Sequence, residues 1–127
     1  MRLLERLQSL VVGEELAPGD APPLPPGVRV RRGRWIPRLG GILGRMHGPA
    51  AAVTLRRTIV VHPSVPVTPQ LLAHELTHVR QWAEDPWFPL RYTAESLRHG
   101  YLQNRYEREA REAEASPNFT LNLERAP

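Results

Sequence analysis

The chain opens on a helical pattern. In Met1–Leu16 the apolar positions Leu3, Leu4, Leu7, Leu10 and Val11 recur at intervals of three and four, which draws one face of an amphipathic helix. That face is expected to cover the domain's own core; a dimer contact or a membrane surface are its alternative uses. Ala17–Gly27 reads APGDAPPLPPG, too dense in proline for helix or central strand, and is expected to be an extended linker. Val28, Val30 and Trp35 suggest a strand within Val28–Ile36, and Gly-rich Pro37–Gly48 reads as loop. Val53, Leu55, Ile59 and Val61 then predict two short strands with Arg56–Arg57 at their turn, or one strand with a bulge.

Three helical patterns follow. Thr68-Pro69 supplies an N-cap and a first-turn proline for a helix running to about Glu84, before Asp85-Pro86. A second is expected over Pro89–His99, with Leu90, Ala94, Leu97 and Tyr101 as its apolar stripe and Gly100 as its stop. A third is expected over Tyr101–Ala115, halted by Ser116-Pro117. The expected layout is an N-terminal helix (1–16), a linker (17–27), a domain of α+β class (28–115) and a tail (116–127).

Composition narrows the chemistry. At 127 residues the chain is long enough for one domain. It holds no cysteine, so disulfides, thiolate nucleophiles and Cys-based zinc sites are excluded. No apolar run reaches the length of a membrane span, and Glu5, Glu14 and Glu15 interrupt anything like an export signal. The expected compartment is therefore the cytoplasm. All 17 basic residues are Arg, which with 13 acidic residues gives a formal charge of +4. Arg29, Arg31, Arg32, Arg34 and Arg38 surround Trp35, a set able to hold phosphate and stack a base. No nucleic-acid motif accompanies them, and Arg is spread over the whole chain, so nucleic acid is not the expected partner.

The sharpest chemical signal is His74-Glu75-Leu76-Thr77-His78. On a helix, positions i and i+4 share a face, so both imidazoles can reach one Zn²⁺. Glu75 then lies beside the open coordination position, where it can take a proton from water. Two imidazoles buried without partners would leave polar nitrogens unsatisfied, which a metal resolves. A third ligand is required, and the last helix offers Glu107, Glu109, Glu112 and Glu114. Against the apolar side drawn by Leu102, Tyr106, Ala110 and Ala113, burial slightly favours Glu109, with Glu107 at the edge.

HELTHVRQW followed by NRYEREA resembles the zincin metallopeptidases of the two-His, one-Glu (gluzincin) kind, and within them small bacterial minimal-zincin proteins and the HELTH-type core of some secreted toxins. The resemblance spans about Ala51–Ala115. It implies a minimal zincin core and selects Glu107 as the third ligand through the E-x-x-A pattern, with Glu109 the second choice. The pattern departs at Arg111, where those proteins carry an Asp that helps orient a ligand His, so that support must come from elsewhere. The resemblance also implies a strand able to align an extended peptide, for which Thr58–His62 is the candidate. The expected function is zinc-dependent hydrolysis of a peptide or protein substrate, with Glu75 as general base. His99, Tyr101 and Tyr106 are candidates for stabilising the oxyanion; His47 and His62 are expected to lie elsewhere. The alternatives are a zinc-binding module without activity, a peptidase masked by its own N-terminal helix, and a homodimer formed through that helix.

Overall fold

The protein is described here by a computed structural model covering residues 2–16, 24–43, 48 and 50–115. Most of the expected linker, Met46, His47 and the tail lie outside the described residues.

Two strand-forming stretches sit at the centre. β3 (Ala52–Leu55) and β4 (Thr58–Val61) form a hairpin turned by Arg56–Arg57, with Arg56 at φ 57° as tight two-residue turns require. β2 (Arg29–Arg32) lies parallel to β4 on its other side, and β1 (Glu14–Glu15) pairs antiparallel with β2. The sheet order is β1-β2-β4-β3, which leaves β3 at an edge. With five helices this is an α+β fold built on a small mixed sheet. Among the described residues no helix is long and apolar enough to cross a membrane.

β4 carries the core: Ile59, Val60 and Val61 are fully buried. Alternation sends Ile59 and Val61 towards α3 (Pro69–Glu84), where they join Val28, Val30, Leu72, Leu76 and Val79. α3 begins as its sequence predicts, with the Thr68 hydroxyl accepting from the Leu71 amide at 3.1 Å. Burying this α3 face also fixes the direction of its flanking residues, among them His74 and His78.

Several expectations give way. The first helix is α1 (Arg2–Val12), shorter than Met1–Leu16. Gly13 ends it at φ +81°, where any Cβ would strike the Arg32 carbonyl. Glu14 and Glu15 then sit opposite Arg32 and Arg31 in the sheet, a favourable cross-strand charge pairing. Leu3, Leu4 and Leu7 of α1 do not cover the core, for the first two are about 70% exposed and the third 49%. Trp35 and the first part of the expected Gly-rich loop, through Leu43, instead lie in α2 (Trp35–Leu43). Glycine weakens a helix in isolation, but a Cβ on Gly40 would come within 2.3 Å of Val53, so the residue permits close packing of α2 on β3.

The last two helices differ in register from expectation. α4 spans Phe88–His99, yet its predicted apolar stripe faces outward: Leu90 and Leu97 are exposed, while Phe88 and Ser96 are buried. α5 is Arg105–Glu114 and starts four residues later than predicted. Asn104, fully buried, accepts from the Tyr106 and Glu107 amides and donates to Tyr92 O and Ser96 Oγ. One side chain thus caps α5 and ties it to α4.

Candidate metal centre

α3 buries polar residues on the flank facing α5: His74, Glu75, Thr77, His78 and Gln81 are all at most 7% exposed. Glu107 enters from the first turn of α5, itself buried. Its two oxygens bridge the imidazoles, with Oε2 2.8 Å from His74 Nε2 and Oε1 3.0 Å from His78 Nε2. One ligand atom from each of the three residues lies within 4.8 Å of the others. The cluster could hold a metal ion. Two imidazole nitrogens and a carboxylate form a donor set that suits Zn²⁺ among other divalent metals.

The opposite ring nitrogens are engaged as well. His74 Nδ1 lies 2.7 Å from Glu114 Oε1, and His78 Nδ1 lies 2.7 Å from Gln81 Oε1. Both partners offer an acceptor oxygen, so each ring carries a proton on Nδ1 and turns Nε2 inward. Gln81 is itself fixed by donating to Tyr106 O. Phe88 stacks on the His78 ring, with centroids 6.2 Å apart.

Glu75 stands beside this set, its Oε2 3.9 Å from His74 Nε2. Thr54 Oγ1 lies 3.2 Å from Glu75 Oε1, linking the edge strand to that carboxylate. Tyr92 donates to Glu107 Oε1 at 2.7 Å, and Tyr101 lines the same cleft.

The electrostatics follow from burial and proximity. Burial opposes the charged form of His78, but the hydrogen bond to Glu107 and the nearby carboxylates outweigh it, pushing its pKa up to about 9. His74 is raised by the same balance. Burial alone would raise Glu107; its bonds to the two imidazoles reverse this and hold it well below the usual carboxylate range. Burial raises Glu75, so it binds a proton more readily than an exposed glutamate. Tyr92 and Tyr101 are raised, chiefly by burial, and remain protonated donors.

These groups open into a cleft of about 270 Å³. Its walls are largely apolar, with Val53 and Leu55 on one side and Trp82, Phe88 and Pro89 on another.

The family model of the eCIS core domain matches residues 43–86. This is a domain of extracellular contractile injection systems. The eCIS-core match covers less than half of the chain; it includes β3, β4 and the His74–His78 turn but stops short of Glu107. No curated protein and no solved structure matches the chain.

Of the sequence candidates, the structure brings His74, Glu75, His78 and Glu107 together. Glu109 is exposed and paired with Arg80 on the outer surface. The burial argument for Glu109 rested on a helix containing Leu102, which lies before α5 and is 70% exposed. Tyr101 reaches the site, whereas His99 is exposed and Tyr106 hydrogen-bonds Arg105. His62 bonds Ser64 away from the cluster. Thr58–His62 is not the open strand, because β4 is flanked by β2 and β3; the edge is β3. Sequence reasoning missed Tyr92, Gln81 and Thr54, and it offered Glu114 only as a possible third ligand, not as the partner of His74. Glu114 had a detectable signal: seven residues after Glu107, it shares a helix face with it. Two of the clustered arginines are committed to the fold, Arg31 to Gly13 O and Arg32 to the carbonyls of His62, Pro63 and Val65.

Proposed function

We propose that the chain binds Zn²⁺ through His74, His78 and Glu107 and hydrolyses peptide bonds, with Glu75 as general base. The observation that carries this reading is the convergence of both Nε2 atoms on one carboxylate with Glu75 at 3.9 Å, at the floor of a cleft beside an open strand. The HELTH and E-x-x-A patterns, with their likeness to minimal zincins, support it. Zn²⁺ held there would lower the pKa of a coordinated water towards neutrality and polarise the scissile carbonyl.

The chain's own residues supply the rest. Glu75 accepts the proton of the attacking water and delivers it to the leaving amine, and its raised pKa favours holding that proton between the two steps. Thr54 keeps one Glu75 oxygen oriented. Tyr92, bonded to the ligand carboxylate, and Tyr101, in the wall of the cleft, are our candidates for steadying the oxyanion. The substrate is an extended peptide aligned along β3. In this hairpin register Ala52 and Thr54 present their backbone groups outward. Trp82 Nε1 already donates to Thr54 O at 3.0 Å, so a peptide pairing there must displace that indole. The apolar walls favour a bulky apolar side chain next to the scissile bond.

A second reading is a metal-binding module without turnover that serves a contractile injection system. The eCIS-core match over residues 43–86 favours it. Glu75→Gln separates the two. With peptide-library substrates, the peptidase reading requires cleavage to fall by about 10²–10⁴-fold while the metal is retained. A zinc-loaded wild-type protein that cleaves nothing supports the module instead.

A further inference from the structure

The cleft does not stop at the metal side of β3. Successive residues of a strand point to opposite faces, and here residues of both faces line the same cleft. Thr54 points to α3, where its hydroxyl meets Glu75. Val53 points to α2, where its Cγ2 occupies the space that a Cβ on Gly40 would need. Leu55 shares the Val53 face by alternation. So does Ala51, whose carbonyl extends the hairpin ladder by accepting from the His62 amide at 2.8 Å. Gly40, Ala50, Ala51, Val53 and Leu55 all line the cleft.

We propose that the cleft recognises an extended segment that is apolar at successive residues, with Ala51 and Leu55 as specificity-determining residues on the α2 side. This rests on reading β3 as the strand that aligns the substrate, and not on the hydrolysis itself. A chain added to β3 follows its pleat, whichever way it runs. Its residues opposite Ala52 and Thr54 enter the metal side, among Leu71, Trp82 and Phe88. Its residues opposite Val53 and Leu55 enter the α2 side, among Gly40, Ala50 and Ala51. Trp82 Nε1 holds Thr54 O at 3.0 Å, so pairing starts at Ala52 and displaces the indole as it reaches Thr54.

Charge sorts the occupant in the same way. The α2-side wall carries no polar side chain, and among the described residues no arginine lines the cleft. Glu75 and Glu114 line its metal side. An acidic side chain thus meets carboxylates on one side and only apolar atoms on the other.

The substrate class follows. An edge strand with one apolar side selects every second residue. Two apolar sides select consecutive apolar residues, the pattern of strands buried on both faces. Folded proteins keep such segments inside, so the segment taken here belongs to an unfolded chain rather than to a surface loop.

The test uses the full chain with Glu75→Gln, loaded with Zn²⁺, and two blocked, fluorescein-labelled peptides of about six residues. Both have the same number of leucines and serines. In one the leucines are consecutive; in the other leucine and serine alternate. Fluorescence anisotropy should show at least about 10-fold tighter binding of the consecutive peptide, the worth of one more buried apolar side chain. The same ratio is expected in the metal-free wild type, because neither apolar wall needs the ion. Leu55→Asp and, separately, Ala51→Asp should bring the two peptides to within about 2-fold of each other. Leu3→Ser on α1 should leave the ratio unchanged. Leu55 is 37% exposed and Ala51 is exposed, so both positions accept a charge without burying it, and circular dichroism confirms the fold. The proposal is overturned by equal binding of the two peptides, by binding of neither, or by a ratio that survives both aspartate variants. Cleavage of the same pair by zinc-loaded wild type keeps the two readings apart. No cleavage with the binding ratio intact overturns hydrolysis alone. Cleavage of both peptides at the same kcat/KM overturns this inference alone.

Discussion

α3 and α1 allocate their side chains in opposite ways. α3 buries His74, Glu75, Thr77, His78 and Gln81, whereas α1 leaves Leu3 and Leu4 about 70% exposed and Leu7 49% exposed. In α3 each of those polar side chains has a hydrogen-bond or ion-pair partner. α1 packs against α2, and α2 itself exposes Trp35 and Leu39 by about half. Burial here follows from partners rather than residue type. A polar group goes inside where its hydrogen bonds are complete, and an apolar one remains outside where nothing covers it. Substitutions in α3 and α5 should therefore be costly, and those in α1 nearly silent.

The largest effect is expected from Glu107→Ala. It leaves two buried imidazoles without their shared carboxylate, and breaking a buried charged pair costs about 3–5 kcal/mol. Urea unfolding in the presence of chelator measures this; a loss under about 1 kcal/mol would erase the contrast with α1. Next is Glu114→Ala, which frees His74 Nδ1 and should weaken metal binding by about 10–100-fold with little change in metal-free stability. Competition against a zinc indicator reads it, and Glu109→Ala, on the outer surface, should not register.

The pH dependence of the metal-free protein comes third. The folded pKa of His78 is raised from 6.5 to about 9. Its stabilising contribution is then complete below pH 6.5 and is lost as pH rises through about 9. Metal-free stability should decline over that window. Metal affinity should climb over the same window, because the ion must displace the imidazole proton. Metal-free stability that stays flat from pH 6.5 to 9 would contradict the ion-paired cluster. Last, Leu3→Ser and Leu4→Ser should change stability by no more than about 0.5 kcal/mol. A larger loss by thermal unfolding would mean that α1 is covered in solution, as a homodimer through this helix would require.

The parts of the fold legible in the sequence are those where local and tertiary preferences agree. Thr68-Pro69 marks the start of α3, and the β-branched residues on either side of Arg56–Arg57 mark the hairpin. The parts that were not legible depend on distant partners. Gly40 sits in a helix because Val53 needs the space. Leu90 and Leu97 face outward because Phe88, Tyr92 and Ser96 are claimed by the cluster and by Asn104. The motif gave His74, Glu75 and His78, and the family resemblance favoured Glu107 where periodicity alone leaned towards Glu109. The roles of Glu114 and Gln81 were not legible because only the folded arrangement supplies the imidazoles they meet.

The most direct test of the central claim is zinc stoichiometry by native mass spectrometry, on protein purified without chelator or metal resin. The account predicts one zinc per chain, lost in His78→Ala, weakened in Glu107→Ala and unchanged in Glu109→Ala. A wild-type chain that takes up no zinc even when the metal is added back, or one that keeps it in His78→Ala, would contradict it.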